Sequence, residues 1–149
     1  MSLALRPEPA SKPRGIDAIY ARLASSVAWW VSMLPPRHIF RLLQAVVKDV
    51  APATLDEAER ARAFICSVST RCAGQGCLQR SIAVVLYCRV GGRGPSWKTG
   101  YQTSPFRAHA WVEVDGNPVT EPPEVARFLP VLEVHPPGTS HLPSSKNGA

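Results

Sequence analysis

A cysteine at position 77 follows two glycines and precedes a long apolar run, a pattern typical of a nucleophile at a helix start. Gly74 and Gly76 allow a tight turn and leave room in front of the thiol. The run from Leu78 to Val90 lacks Pro and Gly and predicts a buried helix, with a buried strand as the alternative. Free N–H groups and the helix dipole would favour the thiolate there. Cys77 is therefore a candidate nucleophile; the alternative is a small buried hydrophobic residue.

A thiol nucleophile needs a base, and the base needs an orienting group. His109 is the histidine that the sequence predicts to lie inside a strand, from Ala108 to Val114. His135 and His141 border or lie in the C-terminal tail, and His38 belongs to a helical N-terminal segment. We therefore expect His109 to be the base. The alternative is a histidine that only forms a hydrogen bond within the sheet.

The choice of the orienting acid depends on the hairpin that follows His109. With a two-residue turn at Asp115 and Gly116, Glu121 faces Ala110 and points away from His109. With a three-residue turn and Gly116 in a left-handed bulge, Glu121 faces His109, with Cβ atoms about 4.5–5.5 Å apart. Both turns suit the sequence. We rank Glu121 first and Asp115, at the turn tip, second.

The negative charge that develops on an attacked carbonyl oxygen also needs hydrogen-bond donors. The N–H of Cys77 and the side chain of Gln75 are the candidates, although Gln75 could equally be a solvated loop residue. This chemistry requires no metal or other cofactor. The four cysteines form no C-x-x-C pair, so we expect no zinc site.

Length and composition predict one domain of ordinary globular type. The chain has 149 residues, of which 45% are hydrophobic and 19% charged, enough for one core. The net charge of +6 comes without a run of five basic residues, so a nucleic-acid partner is unsupported, whereas an acidic peptide or protein surface is compatible. There is no signal-peptide pattern and no apolar stretch of roughly 20 residues. We expect a soluble cytoplasmic protein with reduced thiols and no membrane association.

Helical patterns occupy the first part of the chain and strand patterns the second. Helices are predicted over Ile16 to Leu34, over His38 to Val50 and after a capping box at residues 54–57. Strands are predicted over residues 97–101, 108–114, 117–121 and 131–134. This order indicates an α+β fold with N-terminal helices packed on a small antiparallel sheet. We expect a single domain over residues 16–134, between disordered ends at residues 1–15 and 135–149.

Six segments follow one another between residues 67 and 122, namely Ser-Val-Ser-Thr-Arg (67–71), Gly-Cys-Leu-Gln-Arg-Ser (76–81), Cys88-Arg89, Pro-Ser-Trp-Lys-Thr-Gly (95–100), Pro-Phe-Arg-Ala-His-Ala-Trp-Val-Glu-Val-Asp-Gly (105–116) and Pro-Val-Thr-Glu-Pro (118–122). Their order and spacing resemble the transglutaminase-like cysteine proteases of lasso-peptide biosynthesis, in the form that exists as a separate chain. The resemblance covers roughly residues 16 to 134. It implies a transglutaminase/papain-like core in which Cys77 heads a helix while His109 and an acid lie on neighbouring strands. The acid is usually Asp in that superfamily, so Glu121 is a departure.

The resemblance also implies a role. The protein would cut the leader from a ribosomally made precursor peptide, and a separate ATP-dependent cyclase would then use the freed amine of the core. A separate leader-recognition protein would hold the leader, because this chain leaves no room for such a domain. The helix around Trp29 and Trp30 is either a core helix or a face for that partner. The alternative functions are a transglutaminase-type acyl transferase on a peptide substrate and a non-catalytic peptide-binding scaffold.

Overall fold

Five α-helices precede the main sheet in the computed structural model, which describes residues 12–139. The helices are α1 (Ile16–Ser32), α2 (Pro36–Val47), α3 (Leu55–Val68), α4 (Thr70–Ala73) and α5 (Cys77–Val90). The antiparallel sheet contains β3 (Ser96–Thr103), β4 (Phe106–Val114), β5 (Asn117–Pro118) and β6 (Leu129–Val134), in the order β5-β4-β3-β6. The predicted α+β fold, with helices packed on a small antiparallel sheet, is confirmed.

The helix α5 is the central element, because α1, α2, α3 and β4 all pack against it. Its residues are buried around most of its circumference, as is typical of a core helix. The face of α1 towards the core carries small side chains, at Ala21, Ala24 and Ala28, which allow the two helix backbones to approach closely. The competing prediction of a strand after Cys77 is therefore wrong.

The helix ends follow local signals in the sequence. The predicted capping box of α3 is confirmed: Thr54 Oγ1 accepts from the N–H of Glu57, and the Glu57 carboxylate accepts from the N–H of Thr54. The helix α1 ends two residues before the predicted Leu34, and α2 begins at Pro36 rather than at His38. Proline is tolerated at a first helical position because the N–H there has no intrahelical acceptor.

Two short features were not predicted. The segment before Cys77 contains the short helix α4, which the Ser69 side chain caps by accepting from the N–H of Cys72. A two-residue strand β1 (Ala51–Pro52) also pairs in parallel with β2 (Arg93–Gly94). This pair therefore links the segment just before α3 to the segment just after α5.

The hairpin between β4 and β5 has a two-residue turn, with Asp115 at φ 52 and Gly116 at φ 79. The strand β5 spans Asn117–Pro118, much shorter than the predicted strand over residues 117–121. Thr120 has φ 51, a left-handed conformation that is uncommon for a β-branched residue and that ends the strand geometry.

Most of the ends predicted to be disordered, residues 1–15 and 135–149, lie outside the described residues, and so does His141. His135 lies within them, where its Nδ1 is 2.8 Å from Ser96 Oγ. The proposed domain boundaries remain predictions. Between residues 12 and 139, none of the helices is both long enough and apolar enough to cross a membrane.

Candidate active site

Cys77 is the first residue of α5, and Gly76 stands directly before it. Position 76 must be a glycine, because the backbone of a neighbouring segment lies very close to it. A Cβ atom at position 76 would lie 2.7 Å from the carbonyl oxygen of Arg71, which is too close for any other residue. The N–H of Gly76 donates to this same carbonyl at 3.0 Å. The close approach to α4 therefore explains why a glycine precedes the cysteine and how the thiol is held at the helix start.

Cys77 and His109 line the same cavity. Hydrogen bonding between the thiol and the imidazole is the largest cause that lowers the pKa of Cys77, against the opposing effect of burial. The same bond, together with a hydrogen bond to Glu121, raises the pKa of His109 to about 9. Both shifts favour a thiolate paired with an imidazolium near neutral pH.

Hydrogen bonding from the backbone N–H of Ala110 also lowers the pKa of Cys77. Strand geometry explains why this donor is available. On the same edge of β4, the carbonyl of Val112 accepts from the N–H of Val119 at 3.0 Å, and residues two apart direct their polar groups to one edge. The strand β5 has ended by the level of Ala110, which leaves the N–H of Ala110 available to the sulfur. The sequence did not indicate this donor, because its pattern predicted a longer β5.

Glu121 and His109 are joined by a hydrogen bond of 2.9 Å between Oε2 and Nε2, and the glutamate side chain is only 5% exposed. Because Nε2 is engaged by the carboxylate, Nδ1 is the ring nitrogen left to face Cys77. Asp115, the alternative acid, lies at the exposed tip of the turn. It is six residues further along than His109, which corresponds to about 20 Å of strand. The structure thus brings Cys77, His109 and Glu121 together and leaves Asp115 outside the group.

The contact between His109 and Glu121 arises in a different way from the one expected. The observed pairs, Glu113 with Pro118 and Val114 with Asn117, place residue 121 opposite Ala110. The expectation that this register would turn Glu121 away from His109 is wrong. The left-handed backbone at Thr120 ends the strand alternation and redirects the next side chain.

Two arginines that the sequence analysis did not single out contact the other oxygen of Glu121. Arg62 Nη2 lies 3.5 Å and Arg80 Nη2 3.9 Å from Oε1. Arg80 Nη1 also donates to the carbonyls of Cys72 and Gly74, at 2.8 and 3.1 Å. One buried guanidinium therefore connects the segment before the nucleophile with the acid. The signal in the sequence was an arginine in a helix whose neighbouring residues are mostly apolar.

The imidazole of His109 is also held by aromatic contacts. Trp111 stacks on it with ring centroids 5.9 Å apart and 12° between the planes, and Phe128 contacts it at 5.7 Å. The indole N–H of Trp111 donates to Glu113, which pairs with Lys98 at 3.0 Å. These contacts restrict rotation of the ring, so the hydrogen bonds to sulfur and carboxylate keep their geometry.

Gln75 is exposed and lies beside two cavities that Cys77 also lines. The N–H of Cys77, the other expected oxyanion donor, points back to the carbonyl of Gln75 at 2.9 Å. Gly76 between them has φ −79 and ψ 54, the geometry of an inverse γ-turn. Stabilising an oxyanion with the Cys77 N–H would therefore require this turn to open.

Two of the other cysteines, Cys66 and Cys88, have environments that disfavour a thiolate. Burial raises the pKa of Cys66, and it raises the pKa of Cys88 to about 12. Cys72 is fully buried in the core. All four cysteines are free thiols. In the described part of the chain, no group of three or more His, Cys, Asp or Glu side chains could hold a metal ion.

A family model described as the transglutaminase-like superfamily matches residues 21–133, which include the three grouped side chains. Neither a curated protein nor a solved structure matches the chain. The matched segment runs from α1 to β6 and so covers the helices and the sheet that position Cys77, His109 and Glu121.

Proposed function

Because the chain belongs to the transglutaminase-like superfamily, we propose that it is a cysteine peptidase that removes the leader from a ribosomally synthesised lasso-peptide precursor. Membership indicates cysteine protease or acyltransferase chemistry. The observation that carries the proposal is the continuous contact of Cys77, His109 and Glu121, with the thiol pKa lowered and the imidazole pKa raised. The peptide class rests on the resemblance of the ordered segments between residues 67 and 122.

The first step forms an acyl-enzyme. The Cys77 thiolate attacks the carbonyl carbon at the junction of leader and core, forming a C–S bond. The carbonyl oxygen becomes an anion near Gln75 and the start of α5. When the C–N bond breaks, the imidazolium of His109 gives its proton to the leaving nitrogen, so the core departs as a free amine. Glu121 keeps the ring oriented throughout.

The second step releases the leader. The neutral imidazole of His109 takes a proton from water, and the hydroxide oxygen forms a bond to the thioester carbon. The C–S bond then breaks, the leader leaves as a carboxylic acid that releases its proton to solvent, and Cys77 returns as a thiolate beside the imidazolium. No cofactor takes part in either step. An amine in place of water would give the transglutaminase-type acyl transfer, which is the second candidate function.

We further propose that the leader is presented by a separate leader-recognition protein that docks on α1. A row of large apolar residues on this helix and just beyond it is at least 43% exposed, namely Ile16, Ile19, Leu23, Val27, Trp30, Met33 and Leu34. We call this row the α1 stripe. Monomeric proteins seldom expose so long an apolar surface without a partner. Met33 also lines a cavity beside Cys77, so a protein on the stripe could deliver a peptide to the thiol.

The proposed function is tested by incubating the chain with the recognition protein and the precursor, followed by mass spectrometry. Hydrolysis adds one water to the released leader, whereas acyl transfer adds an amine. Cys77→Ala and His109→Ala should abolish cleavage, and Cys66→Ala, at a partly buried thiol outside the group, should retain it. Cleavage by Cys77→Ala would reject the nucleophile, and unchanged binding with no cleavage by wild type would favour the scaffold function.

A further inference from the structure

Two cavities of similar size meet at the nucleophile. The α1-side cavity has a volume of about 680 Å³, and its apolar walls are Trp29, Met33 and Leu78. The β4-side cavity has a volume of about 690 Å³, and its walls include Val125 and Phe128.

The two cavities have Gln75 and Cys77 in common, whereas His109 lines only the β4-side cavity. A peptide long enough to occupy both cavities would therefore cross the sulfur.

The proton donor fixes the direction of that peptide. His109 must protonate the leaving amine, so the residue after the cut bond has to lie on the side of the imidazole. The acyl part stays attached to Cys77 and must leave in the other direction. Gln75, shared by both cavities, lies where the carbonyl between the two halves of the peptide would be.

We propose that residues before the cut occupy the α1-side cavity and that residues after the cut occupy the β4-side cavity. This inference rests on the proposed function and adds the polarity of substrate binding to it. The α1-side cavity would take apolar side chains of the leader's last residues, since three of its walls are apolar. The same cavity adjoins the α1 stripe, so the leader would reach it directly from a protein docked there.

Each cavity carries an exposed arginine that can report which half of the peptide is near it. Arg71 lines the α1-side cavity, and Arg107 lines the β4-side cavity. Within residues 12–139, neither arginine side chain forms a hydrogen bond or ion pair with Cys77, His109 or Glu121. Glu124 also lines the β4-side cavity, with the opposite charge. Charge reversals at these positions can therefore be matched to charges on the substrate.

The experiment measures kcat/KM for precursor peptides with Glu or Lys placed either two residues before or two residues after the cut. Arg71→Glu should change the Glu-to-Lys preference before the cut by about two- to five-fold, as expected for exposed charges, and leave the preference after it unchanged. Arg107→Glu should do the reverse, and Glu124→Lys should shift the preference after the cut in the opposite sense to Arg107→Glu. Each effect should shrink at high salt.

A crossed result, in which Arg71 responds to the charge after the cut, would overturn the inference and leave the peptidase intact. The absence of any response at both arginines, in variants that still cleave, would overturn it as well. If wild type releases no leader from any peptide, the proposed function itself fails and the inference fails with it.

Discussion

The carboxylate of Glu121 lies 2.9 Å from Nε2 of His109, although the strand register places residue 121 opposite Ala110. Regular strand alternation would turn this side chain to the other face. The chain leaves the β5 geometry at Thr120, which has φ 51. The position of the acid thus depends on one left-handed residue, Thr120, which is not itself one of the three grouped side chains.

Thr120→Pro should therefore disrupt the contact between Glu121 and His109, although it changes none of the three grouped side chains. Proline fixes φ near −65°, which is incompatible with the observed value, so Glu121 should lose its contact with His109. We expect kcat/KM for leader release to fall by about 10²-fold, the usual contribution of acid–base positioning. Thr120→Gly is the matched control, because glycine adopts positive φ readily and should keep activity within about two-fold. Full activity in a folded Thr120→Pro variant would contradict this dependence.

The pH dependence of kcat/KM should show an alkaline limb near pH 9. Hydrogen bonds to Cys77 and Glu121 raise the pKa of His109 to about 9, and above it the imidazole lacks the proton that the leaving amine needs. Glu121→Gln removes an anion beside the imidazolium, so the pKa of His109 should fall and the alkaline limb should move to lower pH.

Asp115→Asn is the control for this experiment, because Asp115 is the alternative acid and lies at the exposed turn tip. Its profile should coincide with that of wild type. A shifted limb in Asp115→Asn together with an unshifted limb in Glu121→Gln would assign the acid to the turn residue instead.

The sequence predicted those features that local patterns determine. The helix after Cys77, the capping box at Thr54 and the location of the turn at Asp115 each follow from residues within a few positions of one another, whereas the length of that turn was left open. The left-handed backbone of Thr120 could not be predicted, because threonine rarely adopts it and only the fold makes it necessary. The contact of Arg80 with Glu121 joins segments 41 positions apart and depends on tertiary packing.

Arg80 should act as a positioning residue for both the nucleophile and the acid. Arg80→Met would remove the donor to two carbonyls before Cys77 and one cation beside Glu121. The hydrogen bond from His109 is the main cause that lowers the pKa of Cys77, and the charge of Arg80 adds to it. We expect a higher thiol pKa in Arg80→Met and hence an acid limb of activity that moves to higher pH.

The thiol pKa can be measured without activity, from the rate of Cys77 alkylation against pH, followed by peptide mass spectrometry. Arg80→Lys keeps the charge but not the planar fork of donors, so its profile should lie closer to that of wild type. Arg89→Met, an exposed arginine in the last turn of the same helix, should behave like wild type. A loss of stability in Arg80→Met with an unchanged alkylation profile would reduce its role to a structural one.

Trp30→Ser should weaken binding of the leader-recognition protein by at least about tenfold, because large aromatic residues often dominate such interfaces. Trp30 is 66% exposed and lies in the α1 stripe, so its loss should leave the fold intact. Val131→Ser is the matched control, since Val131 is 61% exposed on β6, outside the stripe. Titration calorimetry gives both affinities, and size-exclusion chromatography reports self-association. Unchanged affinity of Trp30→Ser combined with altered self-association would assign the α1 stripe to a second copy of this chain, because the residue would then serve a contact between copies.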